Sequence, residues 1–384
     1  MEKVITTERV PIKLWLEDIE EGALEQAKNL ANLPFAFKHI AIMPDSHQGY
    51  GMPIGGVLAT KKEIIPNAVG VDIGCGMCSL RTSLKEIDTE RLKKVMGIIR
   101  KTVPVGHKHH DSKQDEKWMP KSDEILPIVE QEYESAMHQV GTLGGGNHFI
   151  EIQKGSDGFI WIMIHSGSRN IGYTVAKHYN KKAKEKNELM SVDIPKDLSF
   201  FPAGTDEFTS YLNEMNYCIE FALNNRKLMM ERVKSAFTDV INTIEFSDFI
   251  NKPHNFASRE KHFGEDVIIH RKGATRARDG ELGMIPGSQG AYSYIVKGKG
   301  NTESFESCSH GAGRVMSRTK AKKTLSVESE TEMLEEMGVL HAIRSENDLD
   351  EAPGSYKDIQ EVMDYQTDLV DIEIKLKPLA VIKG

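Results

Sequence analysis

The side chains in this sequence that could do chemistry are histidines, cysteines and aspartates placed inside glycine-rich clusters. Asp72 and Cys75 stand three residues apart in Val-Asp-Ile-Gly-Cys-Gly-Met, where the glycines let the backbone fold closely around a ligand. A carboxylate and a thiolate at this spacing can converge on one divalent cation. A lone buried cysteine is more often a small hydrophobic residue, so the cluster by itself leaves both interpretations open.

Three further clusters carry histidine. His148 follows three consecutive glycines in the segment 141–151, where Asn147 and Glu151 could bind a phosphate or a base. His165 ends a short apolar run and begins His-Ser-Gly-Ser-Arg, a favourable position for a metal ligand. His254 lies in Pro-His-Asn-Phe, a weak signal alone, because an isolated histidine usually has a structural role.

The segment from Val267 to Lys323 concentrates positive charge. It holds 11 Lys and Arg residues against 4 Asp and Glu residues, a net of +7, although the whole chain has a net charge of −8. These basic residues alternate with Pro-Gly-Ser-Gln-Gly at 286–290 and Ser-His-Gly-Ala-Gly-Arg at 309–314. A run of charge is usually a solvated face, but this interleaving favours a segment that holds phosphates or an RNA backbone.

Other histidine and cysteine patterns are weaker. Asp45 and His47 are two residues apart and would share one face of a strand, a pattern that is more often structural. The run His107–His110 lies in a polar, lysine-rich stretch without cysteine and predicts an exposed loop. Cys75 and Cys78 have the spacing of a redox pair, but nothing around them resembles a thioredoxin.

Composition excludes several classes of protein. The 384 residues are 39% hydrophobic and 28% charged, which is typical of a soluble globular protein and excludes long disorder. Four cysteines exclude a disulfide scaffold. The first ten residues carry no apolar core of a signal peptide, and the apolar run Phe159–Ile164 is too short to cross a bilayer. We therefore expect a cytoplasmic protein without a membrane partner.

Hydrophobic spacing predicts the elements that must position these clusters. Strands are predicted at His39–Met43, Gly55–Thr60, Ala68–Ile73, Phe159–Ile164, Val267–His270 and Tyr292–Val296, with a strand pair at Ile372–Ile382. Helices are predicted at Glu17–Leu33, Ile87–Val103, Ile171–Met190, Met333–Gly338 and Ile359–Asp368, and two helices over Asp206–Ile244. This mixture without a regular βαβ order predicts an α+β fold, one domain over residues 1–384 with a helical insertion at about 185–250.

Taken together, nine ordered motifs of this chain resemble those of the RtcB family of RNA ligases. They are MPDSHQGYG at 43–51, VGVDIGCGM at 69–77, GTLGGGNHFIE at 141–151, HSGSR at 165–169, HN at 254–255, HRKGATRA at 270–277, PGSQG at 286–290, SHGAGRVMSR at 309–318 and KG at 383–384. The resemblance implies mixed sheets around a dinuclear metal centre. It also implies a GTP- and Mn²⁺-dependent enzyme that joins RNA 3′-phosphate or 2′,3′-cyclic phosphate ends to 5′-hydroxyl ends.

On the family pattern, the implied reaction passes through a histidine–GMP intermediate and an activated RNA-ppG end, in tRNA splicing or RNA repair. His310 would be the nucleophile, and we hypothesise that Asp45 orients or deprotonates it. Two Mn²⁺ ions would share Cys75, with Asp72 and His148 on one ion and His165 and His254 on the other. The guanylate pocket implied by the resemblance consists of Asn147, His148, Phe149, Ile150, Glu151, His254, Asn255, Pro286, Gly287, Ser288, Gln289, Ser293, His310, Gly311, Ala312, Gly313 and Lys383. The implied partners are RNA, GTP and an archease-type activator.

The chain departs from the family pattern at a few positions, and two other functions remain open. Asn170, Gln289, Phe256 and Pro253 stand where the family commonly has Gly, Met, Tyr and His. The main alternative is a two-metal phosphohydrolase or cyclic phosphodiesterase without productive ligation, although hydrolysis needs no nucleophilic His310. The other alternative is a non-catalytic RNA-binding protein, which would have no use for five metal ligands.

Overall fold

Two curved β-sheets, of six and seven strands, form most of the scaffold in the computed structural model, which describes residues 1–384. Two small two-stranded sheets complete the β-structure. The strands are β1 (Lys3–Ile5), β2 (Ile12–Leu14), β3 (Ala36–Tyr50), β4 (Met52–Thr60), β5 (Glu63–Ile64), β6 (Gly76–Thr82), β7 (Phe149–Gly155), β8 (Ile160–Ser166), β9 (Phe201–Pro202), β10 (Phe246–Pro253), β11 (Asn255–His262), β12 (Glu265–Lys272), β13 (Ala274–Arg276), β14 (Leu282–Ile285), β15 (Ser293–Gly298), β16 (Ser307–Ser309) and β17 (Val370–Lys383).

The six-stranded sheet has the order β1-β2-β3-β4-β12-β11, with β2 and β3 parallel and the other pairs antiparallel. Strand β3 shows why both faces are covered. Ile40 and Ile42 pack into one hydrophobic cluster, while Ala41 and Met43 pack into another on the opposite face. Successive side chains of a strand point to opposite faces, so a continuous apolar run requires burial on both sides.

The seven-stranded sheet has the order β10-β6-β8-β7-β17-β15-β14 and is antiparallel throughout. Its edge strands approach each other, because Lys252 Nζ on β10 lies 2.5 Å from Oε1 of Glu281, directly before β14. The sheet therefore curls around its own inner face, which buries Trp161 and Met163 of β8. Ile162 and Ile164 of the same strand pack on the outer face, against helices.

Eight α-helices surround the sheets. They are α1 (Glu21–Ala31), α2 (Thr89–Thr102), α3 (Pro127–Gln139), α4 (Arg169–Leu189), α5 (Asp206–Val240), α6 (Arg318–Thr324), α7 (Val327–Glu336) and α8 (Ile359–Asp364). None of them combines the length and the hydropathy that a membrane-spanning helix needs. The α+β class predicted from the sequence is confirmed, whereas the division into one domain with a helical insertion at about 185–250 stays a prediction.

Helix α5 corrects the prediction of two helices over Asp206–Ile244, because it is one continuous helix of 35 residues. Its sequence contains no glycine or proline that would end it early. Thr205 caps its start, accepting a hydrogen bond from the amide of Phe208 at 3.3 Å. The N-terminal half packs in one hydrophobic core and the C-terminal half, including Phe237, in another, so α5 joins two cores.

Two predicted β-segments also differ in the structure. The segment Ala68–Ile73 is no strand: a 3₁₀ turn at Pro66–Ala68 leads into a loop in which Gly70 has φ of +98°. Such a conformation bends the backbone and is open mainly to glycine. The predicted strand pair at the C-terminus is the single strand β17, whose register shifts beside Pro378 because proline has no N–H for the ladder.

Candidate metal and nucleotide site

Four of the predicted metal ligands lie at one edge of the seven-stranded sheet. Cys75 directly precedes β6, His148 directly precedes β7, His165 lies near the end of β8 and His254 directly follows β10. Because β10, β6, β8 and β7 are consecutive antiparallel neighbours, two strand beginnings and two strand ends meet at the same edge. The sheet topology therefore gathers residues that are far apart in the chain.

Asp72 joins these four residues to form what we call the cysteine–histidine cluster (Asp72, Cys75, His148, His165 and His254). Cys75 Sγ lies 3.5 Å from His148 Nε2 and 3.3 Å from His165 Nε2. His165 Nε2 lies 3.4 Å from His254 Nε2, and His148 Nε2 lies 3.2 Å from Asp72 Oδ2. All five residues that the resemblance assigned to metal binding are thus linked by one chain of contacts.

Backbone carbonyls orient two of the imidazoles in the cysteine–histidine cluster. His148 Nδ1 donates to the carbonyl of Leu143 at 2.9 Å, and His165 Nδ1 donates to the carbonyl of Asn147 at 3.1 Å. Holding the proton on Nδ1 leaves the Nε2 lone pair directed into the cluster. This is the arrangement that histidine ligands of metal ions commonly have.

Burial sets the protonation states of the cluster. Burial, reinforced by the neighbouring histidines, lowers the pKa of His165 and His254 well below the usual range, so both are neutral. Burial and then the nearby Asp72 raise the pKa of the Cys75 thiol well above its usual value. The donors are therefore imidazole nitrogens, neutral at His165 and His254, together with a carboxylate and a thiol that would lose its proton to a bound cation. This N, O and S donor set fits a divalent transition metal.

His310 and Asp45 form a second constellation beside the cluster. His310 directly follows β16, and its Nδ1 lies 2.6 Å from Oδ2 of Asp45, a fully buried residue of β3. The same carboxylate oxygen accepts the amides of His310 and Gly311 at 3.0 Å and 3.2 Å. The imidazole donates through Nδ1, its Nε2 has no protein partner, and its ring centre lies 4.7 Å from that of His254.

Gly313 and Gly167 permit two close approaches in this site. A Cβ on Gly313, which has φ of +74°, would lie 2.2 Å from the carbonyl oxygen of Asp45. A Cβ on Gly167 would lie 2.2 Å from both carboxylate oxygens of Asp72. Either side chain would displace a residue of the site, so these two glycines are required by contact and not only by turn geometry.

A cavity of about 540 Å³ connects the two constellations. Its predicted lining residues are Asp72, Cys75, Asn147, Phe149, Glu151, His165, His254, Asn255, Pro286, Gly287, Ser288, Gln289, His310, Gly311, Ala312, Gly313 and Lys383. His47 also lines it, and burial lowers the pKa of this histidine to about 4. The volume and the mixed polar lining suit a small molecule of nucleotide size.

Three residues assigned to nucleotide binding by the resemblance lie outside the cavity wall. Ile150 points away, because it alternates with Phe149 and Glu151 along β7 and packs in the core beneath the sheet. Ser293 lies behind the wall, where its Oγ accepts the amide of Gly287 at 3.3 Å. His148 is enclosed within the cysteine–histidine cluster.

A charged network that the sequence motifs did not predict as a unit also lines the cavity. We call it the Glu351 network (Arg314, Arg318, Glu351, Tyr356 and Lys383). Oε1 of Glu351 lies 2.9 Å from Arg318 Nε and 3.4 Å from Arg314 Nη1. Its Oε2 accepts the hydroxyl of Tyr356 and lies 3.8 Å from Lys383 Nζ. Although burial raises the pKa of Glu351, Lys383 and Arg318 bring it below the usual value. The two arginines belong to the SHGAGRVMSR motif at 309–318, but no local sequence pattern marks Glu351.

Glu151 is the buried acid between these regions. Its side chain accepts a hydrogen bond from Gln153 and is 97% buried as a residue. Burial raises its pKa to about 8, against the lowering effects of Gln153 and Lys383. A carboxyl group that is protonated near neutral pH can both donate and accept in the cavity.

Gln289 is the departure from the family pattern that reaches the cavity wall. Its Nε2 donates to the carbonyl of Glu351 at 2.9 Å, while its buried Oε1 has no partner. Asn170, in contrast, donates to Glu132 at 2.8 Å on the protein surface. Only the glutamine therefore places a free polar atom beside the site.

Comparison with known proteins agrees with this geometry. The family model described as tRNA-splicing ligase RtcB matches residues 26–384. The RNA-splicing ligase RtcB of Escherichia coli K12 is 42% identical over 410 aligned positions, which cover 100% of this chain and 99% of that protein. The tRNA-splicing ligase RtcB of Methanococcus maripaludis is 30% identical, over 98% of this chain and 95% of its own length. The RNA-splicing ligase RtcB homolog 2 of Entamoeba dispar is 32% identical, over 94% and 84%. With its motifs assembled at one sheet edge and matched along nearly its whole length, the chain belongs to the RtcB family.

Proposed function

We propose that this chain is a GTP- and Mn²⁺-dependent RNA ligase that joins RNA 3′-phosphate or 2′,3′-cyclic phosphate ends to 5′-hydroxyl ends in tRNA splicing or RNA repair. Family membership and the names of its relatives support an RNA ligase. The observation that carries the finer proposal is the 2.6 Å contact between His310 Nδ1 and Asp45, beside the cysteine–histidine cluster.

His310 takes the part of the nucleophile. Asp45 holds the proton on Nδ1, which leaves the Nε2 lone pair free to attack the α-phosphorus of GTP. A P–N bond forms, the bond from that phosphorus to the bridging oxygen breaks, and pyrophosphate leaves. The buried carboxylate of Asp45 stabilises the positive charge that develops on the imidazole.

The cysteine–histidine cluster takes the two cations. Cys75 lies centrally between its partners, within 3.5 Å of one histidine and 3.3 Å of another, which suits a thiolate shared by two ions. Asp72 and His148 complete one set of donors, and His165 and His254 complete the other. Bound Mn²⁺ would supply positive charge beside the phosphates during the reaction.

The remaining steps transfer GMP to RNA and then release it. An oxygen of the RNA 3′-phosphate attacks the phosphorus on His310, so a P–O bond forms, the P–N bond breaks and RNA-ppG results. The 5′-hydroxyl of the second RNA end then attacks the 3′-phosphorus, loses its proton and displaces GMP. A 2′,3′-cyclic phosphate must first be opened by water to give the 3′-phosphate.

The cavity wall provides the guanylate pocket. Phe149 offers an aromatic face, and Lys383 Nζ lies 5.7 Å from the centre of that ring. Glu151 offers a carboxyl group to the edge of a base, and the Pro286–Gln289 turn closes the same side of the cavity. An archease-type activator remains a prediction from the resemblance, and a cytoplasmic location remains a prediction from the composition.

Covalent labelling tests the proposal. Purified protein is incubated with Mn²⁺ and GTP labelled at the α-phosphate, then separated on a denaturing gel beside His310→Ala. We expect label on the wild type and none on the variant. His178→Ala, at an exposed position of α4, is the matched histidine control and should label as the wild type does.

The same assay separates the ligase from its alternatives. A protein that binds Mn²⁺ and hydrolyses cyclic phosphate ends without taking up label would be the phosphohydrolase. A protein that binds RNA but neither Mn²⁺ nor label would be the non-catalytic binder. A labelled protein that joins a 3′-phosphate strand to a 5′-hydroxyl strand would establish the ligase.

A further inference from the structure

Two buried polar residues in the middle of α5 contact the loops before Cys75 and His148, the turn after His165 and the strand that leads to His254. Asn225 and Arg226 are both fully buried, on a helix that holds no residue of the reaction itself. The four segments they reach are separated in sequence and meet only at the edge of the seven-stranded sheet. The pair therefore connects segments that the sheet brings close but does not itself fix.

Asn225 joins two of these loops. Its Oδ1 accepts the amides of Gly141 and Thr142 at 2.7 Å and 3.2 Å. Its Nδ2 donates to the carbonyls of Thr142 and Gly167 at 3.2 Å and 3.0 Å, and to Ser166 Oγ at 3.1 Å. One amide side chain thus fixes the distance between the glycine loop that precedes His148 and the turn that follows His165.

Arg226 joins the loop before Cys75 to the ends of β8 and β10. Its Nη1 donates to the carbonyls of Gly74 at 2.9 Å and Ser166 at 2.8 Å, and its Nε donates to Oδ1 of Asn251 at 2.7 Å. Gly74 directly precedes Cys75, so the guanidinium holds the backbone beside the thiol. The planar fork of arginine fixes several acceptors at once, which a single ammonium group does not do.

The hydrogen bonds of Asn225 and Arg226 end at residues next to the predicted metal ligands. Ser166 follows His165 directly, and its Oγ also donates to the carbonyl of Leu143 at 2.7 Å. That carbonyl is the acceptor that orients His148 at 2.9 Å. Asn225, Ser166 and Leu143 therefore form one hydrogen-bonded chain from α5 to the imidazole of His148.

The energetics argue against a role in stability alone. All the acceptors bonded to Arg226 are neutral, and its buried Nη2 has no partner. Burying a charge without an ion-pair partner is costly, and an apolar side chain would usually stabilise a core better. The benefit that offsets this cost is geometric, because the four segments that carry the ligands are fixed from one rigid helix.

We propose that Asn225 and Arg226 are positioning residues that set the spacing of the ligands in the cysteine–histidine cluster and so determine its affinity for metal ions. The inference rests on the proposed metal-dependent function and deepens it. Hydrogen-bonding partners behind metal ligands typically change metal affinity about 10–100-fold when they are removed. Asn225 and Arg226 would have the same effect on the cluster, through the segments that carry its ligands.

Metal binding to the full-length protein tests this inference without relying on activity. Calorimetry with Mn²⁺ alone is compared for the wild type, Asn225→Ala, Arg226→Ala and Arg226→Lys. We expect the Kd to rise about 10–100-fold in the alanine variants. The lysine variant should recover part of the affinity, because an ammonium can donate to one of the carbonyls. Co²⁺ absorption spectra should show a weaker or shifted thiolate band in the alanine variants.

Met229→Ala is the matched control. Met229 is fully buried on the same helix, one turn beyond the pair, and packs in a hydrophobic core without a side-chain hydrogen bond to a ligand loop. It should lower the melting temperature but leave the Kd for Mn²⁺ and the Co²⁺ spectrum unchanged. Should Arg226→Ala fail to fold, Asn225→Asp keeps the acceptor, removes the donors and gives the same comparison.

The measurements distinguish a failure of the positioning role from a failure of the metal assignment. Folded pair variants that bind Mn²⁺ as the wild type does, with the same Co²⁺ spectrum, overturn the positioning role while the proposed function stands. A wild type that binds no Mn²⁺ overturns the metal assignment itself, and the positioning role with it. An equal loss of affinity in Met229→Ala also overturns the inference, since any damage to α5 would then suffice.

Discussion

The cysteine–histidine cluster and the Glu351 network face the same cavity but are held together by different forces. In the cluster, hydrogen bonds to neutral backbone carbonyls orient the imidazoles, at 2.9 Å for His148 and 3.1 Å for His165. In the network, one carboxylate compensates two guanidinium groups and an ammonium. The first arrangement depends on fixed geometry, whereas the second depends on balanced charge.

This difference predicts how each region responds to ligands and to substitution. The cluster presents imidazole, thiol and carboxylate donors that a cation would engage, so damage there should remove metal ions before it unfolds the protein. The network presents cations that are already paired, so an incoming phosphate competes with Glu351 for them. Damage to the network should therefore appear first as lost stability, which anions partly restore.

The largest expected effect is the loss of both proposed ion sites in Cys75→Ala. Cys75 contacts two histidines of the cluster, so its removal takes a ligand from both donor sets. We expect the affinity for Mn²⁺ to fall by more than about 100-fold, since even partners behind the ligands cost up to that much. Metal content by atomic emission and GMP labelling are the measurements, and labelling should fall to background.

Cys78→Ala is the control for that substitution. Cys78 lies three residues along the chain and is equally buried, but its Sγ faces the carbonyl of Arg226 at 3.9 Å in a hydrophobic core. Its removal should cost about 1 kcal/mol of folding free energy and no metal. Loss of metal in both variants would show that the cluster responds to core damage and is not separately organised.

The next largest effect is expected for Asp45→Asn, at the boundary between the two regions. The amide keeps the size of the carboxylate but cannot hold the charge that develops on His310. We expect the rate of GMP labelling to fall about 10²–10⁴-fold, the usual range for losing a positioned acid–base partner. Mn²⁺ affinity should stay unchanged, because Asp45 contacts no residue of the cysteine–histidine cluster through its carboxylate.

A single-turnover labelling rate, measured beside Mn²⁺ calorimetry, decides this prediction. Labelling by Asp45→Asn at the wild-type rate would remove Asp45 from the reaction. A parallel loss of metal affinity would instead place it in the support of the cluster. Only a slow rate with intact metal binding keeps the two regions separate.

Glu351→Gln should act on stability more than on metal. The substitution leaves Arg314, Arg318 and Lys383 uncompensated, and breaking a buried ion pair from one side costs about 3 kcal/mol. Urea unfolding with and without GTP measures the effect, and GTP should stabilise the variant more than the wild type because its phosphates replace the carboxylate. Glu346→Gln, on an exposed carboxylate without an ion pair, should change neither value.

The sequence predicted the cluster better than the network because of how each is encoded. Cys75, His148 and His165 stand within glycine-rich motifs, which mark them locally, whereas His254 is a weak signal alone and joins the set through the resemblance. Glu351 is the last residue of a short 3₁₀ helix, Glu346–Glu351, and its charged partners come from elsewhere in the chain. No local spacing records an ion pair between distant segments.

The same reasoning explains why no sequence motif marks the buried polar pair in α5. Asn225 and Arg226 bind mostly backbone atoms, up to 152 residues away, and a backbone acceptor leaves no signature in a sequence. The outward direction of Ile150, in contrast, was open to prediction, because Phe149, Ile150 and Glu151 alternate along one strand. Side-chain alternation is local information, and contacts between distant loops are not.

The last expected effect is a gradual dependence of stability on pH and concerns Glu151, whose pKa of about 8 lies well above the ordinary value of 4.5. Between these two values the folded protein keeps a proton that the unfolded chain has lost, so the stability present at low pH is lost as the pH rises through about 8. The glutamine side chain of Glu151→Gln cannot titrate, so the variant does not lose stability in this way. The difference in unfolding free energy between variant and wild type should therefore shift in favour of the variant by about 1 kcal/mol per pH unit from about pH 5 to about pH 8. Urea unfolding of both proteins across that pH range is the measurement. Parallel pH profiles would mean that Glu151 is ionised in the folded protein and belongs with the charge-balanced Glu351 network.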